Sequence, residues 1–211
     1  MPNILWKVPH TAYLSYTMHD PLDPLFQFFG RMTSKERQLV EDSVQTKCVA
    51  KGTVLLELGE VSDRMYLVVA GGLRTLFHDR NGNEVTRYLA LPCRVCVVLD
   101  SFITGKPSRE VIEAFADSEV ITWDRATHDL LMAKVPAWSR AYILLLEQAQ
   151  VINAWRLTTL LGMDAAQRYV ALMRDHPELV QEVPDRIVAS YIGIAPEYLS
   201  RLKPRILRGG N

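Results

Sequence analysis

The stretch 183–202 (VPDRIVASYIGIAPEYLSRL) leaves itself few ways to fold. Ile187, Val188 and Ile192 stripe one short helix. Leu199, Leu202 and Ile206 recur at i, i+3 and i+7 on the next, so the two apolar faces can share a small core. Ala189 is small enough for the helices to cross closely, and Gly193 supplies the backbone freedom of a sharp turn. The outer side of the second helix carries Glu197, Ser200, Arg201, Arg205 and Arg208. Apolar behind and hydrogen-bonding or basic in front is the layout of a helix-turn-helix suited to a major groove. A helical hairpin with basic residues outside also occurs in proteins that never touch DNA, so the rest of the chain has to decide.

At 211 residues the chain can hold one large domain or two modest ones with a real core. No apolar run approaches the roughly 20 residues of a membrane span. The start, MPNILWK, lacks the basic-then-apolar layout of a secretion signal, so cytoplasmic residence is expected. Net charge is zero, which argues against a general polyanion binder. The charge is nevertheless uneven: after Glu197 come Arg201, Lys203, Arg205 and Arg208, a local patch for phosphate contacts. Weak, salt-sensitive binding by one copy would be remedied by dimerisation.

Cys48, Cys93 and Cys96 suggest no disulfide framework. Cys93 and Cys96 have CxxC spacing within an extended-looking run, 88–99. Residues three apart on a strand face opposite ways, which predicts diverging sulfurs and no metal site. His10, His19, His78, His128 and His176 are scattered, none with a carboxylate-plus-nucleophile setting, and no phosphate loop is present. The chain therefore reads as no enzyme.

Pro2, Pro9, Pro21 and Pro24 punctuate an irregular start, and 24–29 looks like an apolar lead-in to a helix. Thr33 to Glu36 has a capping-box layout that begins a helix bearing Leu39, Val40 and Val44. From Cys48 to Trp123 short β-rich pieces alternate with turns, the strongest being the hairpin turn 79–83, which points to a small barrel or roll. A helix is predicted over 125–134 and a long one from Trp138 to about Leu161. In the long helix Trp138, Tyr142, Leu145, Ala149 and Ile152 alternate steps of four and three. With Leu144, Val151 and Trp155 beside that seam, one side can cover the roll and the other a second subunit. Asp164 is placed to cap a helix from Ala165 to about Asp175, after which 176–179 and 183–184 read as connections.

Roll, long helix and helix-turn-helix, in that order, resemble the CRP/FNR-like family of bacterial transcription regulators. The resemblance is carried by Lys51-Gly52, Gly59-Glu60, 65–71 (MYLVVAG), 101–108 (SFITGKPS), 187–194 (IVASYIGI) and 196–201 (PEYLSR), and so covers nearly the whole chain. It looks closest to a divergent branch in which Ser-Phe-x-x-Gly-x-Pro-Ser replaces the usual nucleotide cassette. The resemblance implies an α+β fold, with a sensor roll over 1–135, a dimerisation helix over 136–161 and a DNA-binding domain over 162–211. It also implies a homodimer on double-stranded DNA, with RNA polymerase a candidate further partner. In that reading Arg201 meets a base edge, since a guanidinium matches the two major-groove acceptors of guanine. Glu197 is placed to accept from a cytosine amino group, Tyr198 and Ser200 to touch phosphate or base, and Lys203, Arg205 and Arg208 to hold phosphate.

Two departures from the family pattern set further expectations. Family members that bind cyclic nucleotides hold the ribose with a Gly-Glu pair and the phosphate with an arginine. Here the Gly-Glu places fall on Val97 and Val98 and the arginine's place on Ser108. Arg109 comes one residue late, which in a strand would turn it to the opposite face. An effector other than cyclic AMP or cyclic GMP is therefore expected, with Asp100, Ser101, Thr104 and Ser108 lining the equivalent loop. Asn153 either contacts that effector or sets register at the dimer seam. In the second departure, Ala195 stands where a Ser or Thr cap is common, Pro196 suits the first helical turn, and Pro204 predicts a kink or stop near Lys203. No wing is expected after Arg208. Pro204 and the missing wing favour an alternative: a ligand-sensing or interaction module whose helix-turn-helix is vestigial.

Overall fold

A computed structural model describes residues 22–208, with side chains through Ile206. The prolines expected to punctuate the start, Pro2, Pro9 and Pro21, lie outside the described residues, as does the expectation about a wing after Arg208.

Two short helices come first, α1 (Asp23–Phe29) and α2 (Ser34–Ser43). The apolar lead-in is thus itself a helix, with Pro24 in its first turn. Thr33 and Glu36 form the expected reciprocal capping box on α2. The β-region begins at β1 (Gln45–Val49), three residues before the change of character at Cys48. It continues through β2 (Val54–Leu56), β3 (Arg64–Ala70), β4 (Leu73–His78), β5 (Glu84–Ala90) and β6 (Val95–Cys96). A short helix, α3 (Leu99–Thr104), precedes β7 (Val111–Ala114) and β8 (Ser118–Asp124). The strands form two antiparallel four-stranded sheets, in the orders β1-β8-β3-β6 and β2-β7-β4-β5.

Strand periodicity explains how the roll is filled. On β3, Tyr66 and Val68 point between the sheets, while Met65, Leu67 and Val69 point outward onto helices. Both faces are buried, which is why 65–69 is apolar throughout rather than alternating. The outward face packs against α1, α4 (Arg125–Lys134) and the start of α5 (Pro136–Gly162). There the Phe29 ring stacks on Trp138 at 3.8 Å, and Trp123 meets Trp138 edge-on at 5.0 Å. Gly72 is fixed by packing alone, since a Cβ would sit 2.1 Å from the Phe115 ring.

The seam of α5 holds to the roll: Trp138 and Ile152 are buried, and Tyr142, Leu145 and Ala149 half-buried. The opposite side of α5 leaves Ile143, Leu144, Val151, Leu157 and Leu161 exposed. Asp164 caps α6 (Ala165–Asp175) through a capping box with Gln167. Then come α7 (Pro177–Glu182), α8 (Asp185–Ile192) and α9 (Pro196–Arg208). Gly193 ends α8 in the left-handed conformation, φ 70°, and the Ile194 N–H returns to the Ala189 carbonyl at 3.0 Å. Leu172, Ile187, Val188, Leu199 and Leu202 form a core that also takes in Leu89, Leu91 and Phe115 from the roll.

Three local expectations are corrected. The connection at 176–179 begins a helix, because Pro177 occupies its first turn, where a missing N–H costs nothing. The run 88–99 is not one strand: β5 ends at Ala90, and Cys93 sits in a turn with φ 64° before β6. Nor does α9 stop at Lys203; it runs through Pro204 to Arg208. Pro204 and Ser200 are both exposed, so water can satisfy the Ser200 carbonyl that loses its helical donor.

Candidate nucleic-acid interface and effector cavity

The amphipathic pattern of α9 places its side chains as the spacing predicts. Leu199 and Leu202 are buried, whereas Glu197, Tyr198, Ser200, Arg201 and Arg205 are exposed along the other side. Lys203 is half-buried and its ammonium pairs with Asp185 on α8, which ties it back to the preceding helix. Arg208 closes the helix, and its phosphate contact lies outside the described side chains. The Ala195 carbonyl accepts from the Tyr198 and Leu199 amides at 3.0 and 3.1 Å, and its methyl side chain offers α9 no capping acceptor. Arg168 of α6 donates to the Met163 carbonyl at 3.0 Å and reaches the Gly193 carbonyl in the turn at 3.5 Å.

The helix-turn-helix is bolted to the roll by polar groups that the sequence pattern did not single out. Arg156 lies on α5 and is only 8% exposed. It donates to the Thr86 carbonyl on β5 at 2.7 Å and to the Tyr191 carbonyl on α8 at 2.8 Å. Its guanidinium also sits 4.4 Å from the centre of the Tyr191 ring. Burial pushes the Arg156 pKa down from its ordinary value, with the Tyr191 contacts opposing. Alongside, the Thr86 amide donates to the Ser190 hydroxyl at 2.8 Å, and that hydroxyl donates to the Glu84 carbonyl at 2.9 Å. Buried Arg74 pairs with Glu84 and Glu113, each at 2.8 Å, and the Arg74 hydrogen bond holds the Glu84 carboxyl below its usual range. Arg156 continues the four-three rhythm of the α5 seam after Ile152. A cation at a seam position is the signal that could have found it.

Between the roll, α5 and the start of α7 lies a cavity of about 1370 Å³. Of the positions expected to meet an effector, Val97, Asp100 and Asn153 line it. Val98 instead points into the core between the sheets. Ser101 is buried, accepting from the Ser62 amide at 2.9 Å and donating to the Lys106 carbonyl at 2.6 Å. Thr104 donates to the Asp100 carbonyl at 2.7 Å. Ser108 is buried with its hydroxyl spent on the Glu110 carbonyl at 2.7 Å. Arg109 is exposed, but in a bend rather than a strand, so the face-flipping argument gives way to a simpler one: the bend directs it to solvent. None of these five residues lines the cavity.

Charged residues missed by the sequence reading do line it. Arg87 pairs with Glu110 at 2.6 Å and reaches Asn153 at 3.5 Å; Arg94 pairs with Glu178 of α7 at 2.8 Å. Burial raises the Tyr88 pKa to about 12 at the same wall. Asp175 accepts from the Trp155 indole at 3.0 Å, which fastens α6 to α5 at the cavity's far end. Among the described residues no cluster of His, Cys, Asp and Glu could hold a metal, and no helix is long and apolar enough to cross a membrane.

No family model matches the chain. It is 27% identical over 184 residues to the transcriptional regulatory protein btr of Bordetella pertussis, an alignment spanning 82% of this chain and 74% of that protein. A putative transcriptional regulator of the CRP/FNR family from Eubacterium rectale superposes with a TM-score of 0.64, at 18% identity, over 85% of each chain. A CooA variant from Carboxydothermus hydrogenoformans does so with a TM-score of 0.66, at 17% identity, over 90% of this chain and 87% of that one. From β-roll through long helix to helix-turn-helix, the chain is CRP/FNR-like in fold.

Proposed function

We propose that the chain is a DNA-binding transcription regulator of the CRP/FNR type, working as a homodimer and responding to a small molecule other than cyclic AMP or cyclic GMP. The observation that carries this is the exposed face of α9. Arg201 and Arg205, with Tyr198 and Ser200 beside them, are exposed and make no side-chain hydrogen bond or ion pair among the described residues, while Leu199 and Leu202 pack the back of the helix. A helix kept basic and hydrogen-bonding on one side, and buried on the other, is suited to phosphate and base contacts. The relatives named as transcription regulators support the same reading. The vestigial alternative rests on Pro204 and on a missing wing, and the first of these loses weight because α9 continues to Arg208.

In this reading residues 1–135 sense, α5 within 136–161 pairs with a second copy through its exposed apolar side, and 162–211 read DNA. The effector occupies the cavity between roll and α5. Action in the cytoplasm on RNA polymerase at promoters completes the proposal. Selection of genomic fragments by the purified protein tests it: enrichment of a shared two-fold-symmetric sequence is expected. Uniform recovery of fragments at every salt concentration would contradict it.

A further inference from the structure

Resting on the reading of the cavity as an effector site, we propose that its ligand is an amphipathic cation: an apolar body bearing a protonated amine. The charges along the wall carry the inference. Both guanidinium groups that line the cavity, Arg87 and Arg94, are already engaged by carboxylates, Glu110 at 2.6 Å and Glu178 at 2.8 Å. An incoming anion would have to displace a carboxylate from each before gaining a partner of its own. Two further carboxylates, Asp100 and Glu147, stand exposed at the cavity's rim and form no ion pair among the described residues, so the unbalanced charge there is negative. Charges of one sign around the mouth of a cleft lower the affinity of a like-charged ligand and raise that of an opposite one, most strongly at low ionic strength. The remaining wall is largely apolar, with Leu91, Val97, Leu99, Leu145 and Ile152 presenting hydrocarbon to an occupant.

The cavity is also bounded by Pro177 and Glu178, which belong to the helical C-terminal region. An amine near Glu178 competes with Arg94 for the same carboxylate. Ligand binding therefore loosens the bridge between the β5–β6 turn and α7, the helix that leads into the helix-turn-helix.

A matched pair of fluorescent probes tests the charge preference. Monodansylcadaverine carries a dansyl group and a protonated amine; dansylglycine carries the same group and a carboxylate. With the full chain, saturable blue-shifted emission is expected for the amine, with at least about tenfold tighter binding than for the carboxylate. The double variant D100N/E147Q should narrow that preference several-fold, and because both side chains sit at the cavity's edge its thermal melting should match the parent. Equal or tighter binding of dansylglycine, or no saturable binding of either probe, overturns the proposal. Selective DNA retention measured on the same sample separates that failure from a failure of the regulator reading.

Discussion

A single buried cation, Arg156, joins three parts of the molecule, because it sits on α5 and donates to one carbonyl on β5 and another on α8. Replacing it with leucine leaves two buried acceptors without a donor, at about 1–3 kcal/mol each. The Arg156→Leu variant is expected to unfold at lower denaturant and to lose coincidence between its transitions, because the C-terminal helices lose their tie to the roll. A single unchanged transition would show that the apolar core shared with Leu89 and Phe115 suffices. His128 makes a pH-dependent contribution of known sign. It is buried, and its Nδ1 accepts from the Trp138 indole at 3.3 Å, so it must be neutral in the fold. Burial accordingly holds its pKa below the ordinary 6.5. A depressed histidine pKa contributes stability that is present above the unfolded value and lost as pH falls through the lower folded one. Stability against equilibrium unfolding should therefore fall on acidification below about pH 6.5, and His128→Phe should flatten that dependence. On the reading face, Arg201→Ala is expected to cost about 1–3 kcal/mol of specific binding and to relax selectivity at one base position.

Among the elements, α9 shows how exposure decides what a residue costs. Pro204 removes one helical hydrogen bond, yet the carbonyl it orphans faces water and the helix continues. Pro204→Ala restores that bond and the better propensity, so thermal melting should rise by the equivalent of about 1–3 kcal/mol. No rise would mean that the proline is already accommodated by the packing of Leu199 and Leu202. The helices with a clear cap and uninterrupted spacing were legible in the sequence. Arg125 to Lys134 and Ala165 to Asp175 both begin after an aspartate whose carboxylate accepts the third amide of the helix. The proline-led α7 was not legible, because a proline opens a helix as readily as it ends one. The turn at Cys93 was hidden for a related reason: no glycine or asparagine marks its left-handed residue. The exposed face of α9 could be read from i, i+3 spacing. The cavity's carboxylates could not, since Glu110 and Glu178 meet Arg87 and Arg94 only through tertiary packing across long separations.

For the whole molecule, the exposed side of α5 is an apolar surface that the isolated chain leaves uncovered. Leu157 is 61% exposed and Leu161 80% exposed, in line with Ile143 on a helix whose other side faces the roll and the cavity. A second copy paired along α5 would cover them and present two reading helices together. Leu157→Glu combined with Leu161→Glu should leave folding intact, since neither side chain is buried in the monomer, and should shift sedimentation from dimer to monomer. Pairing also answers the neutral net charge: two basic helices on one duplex reach an affinity that a single short patch cannot. The central claim, that α9 reads DNA through Arg201, is tested most directly by fluorescence anisotropy with a selected duplex and its scrambled counterpart over a salt series. Tighter binding of the selected duplex is expected at every salt concentration, with the difference reduced in Arg201→Ala while the salt dependence stays steep. Equal binding of both duplexes by the parent protein, or an unchanged preference in the variant, would contradict it.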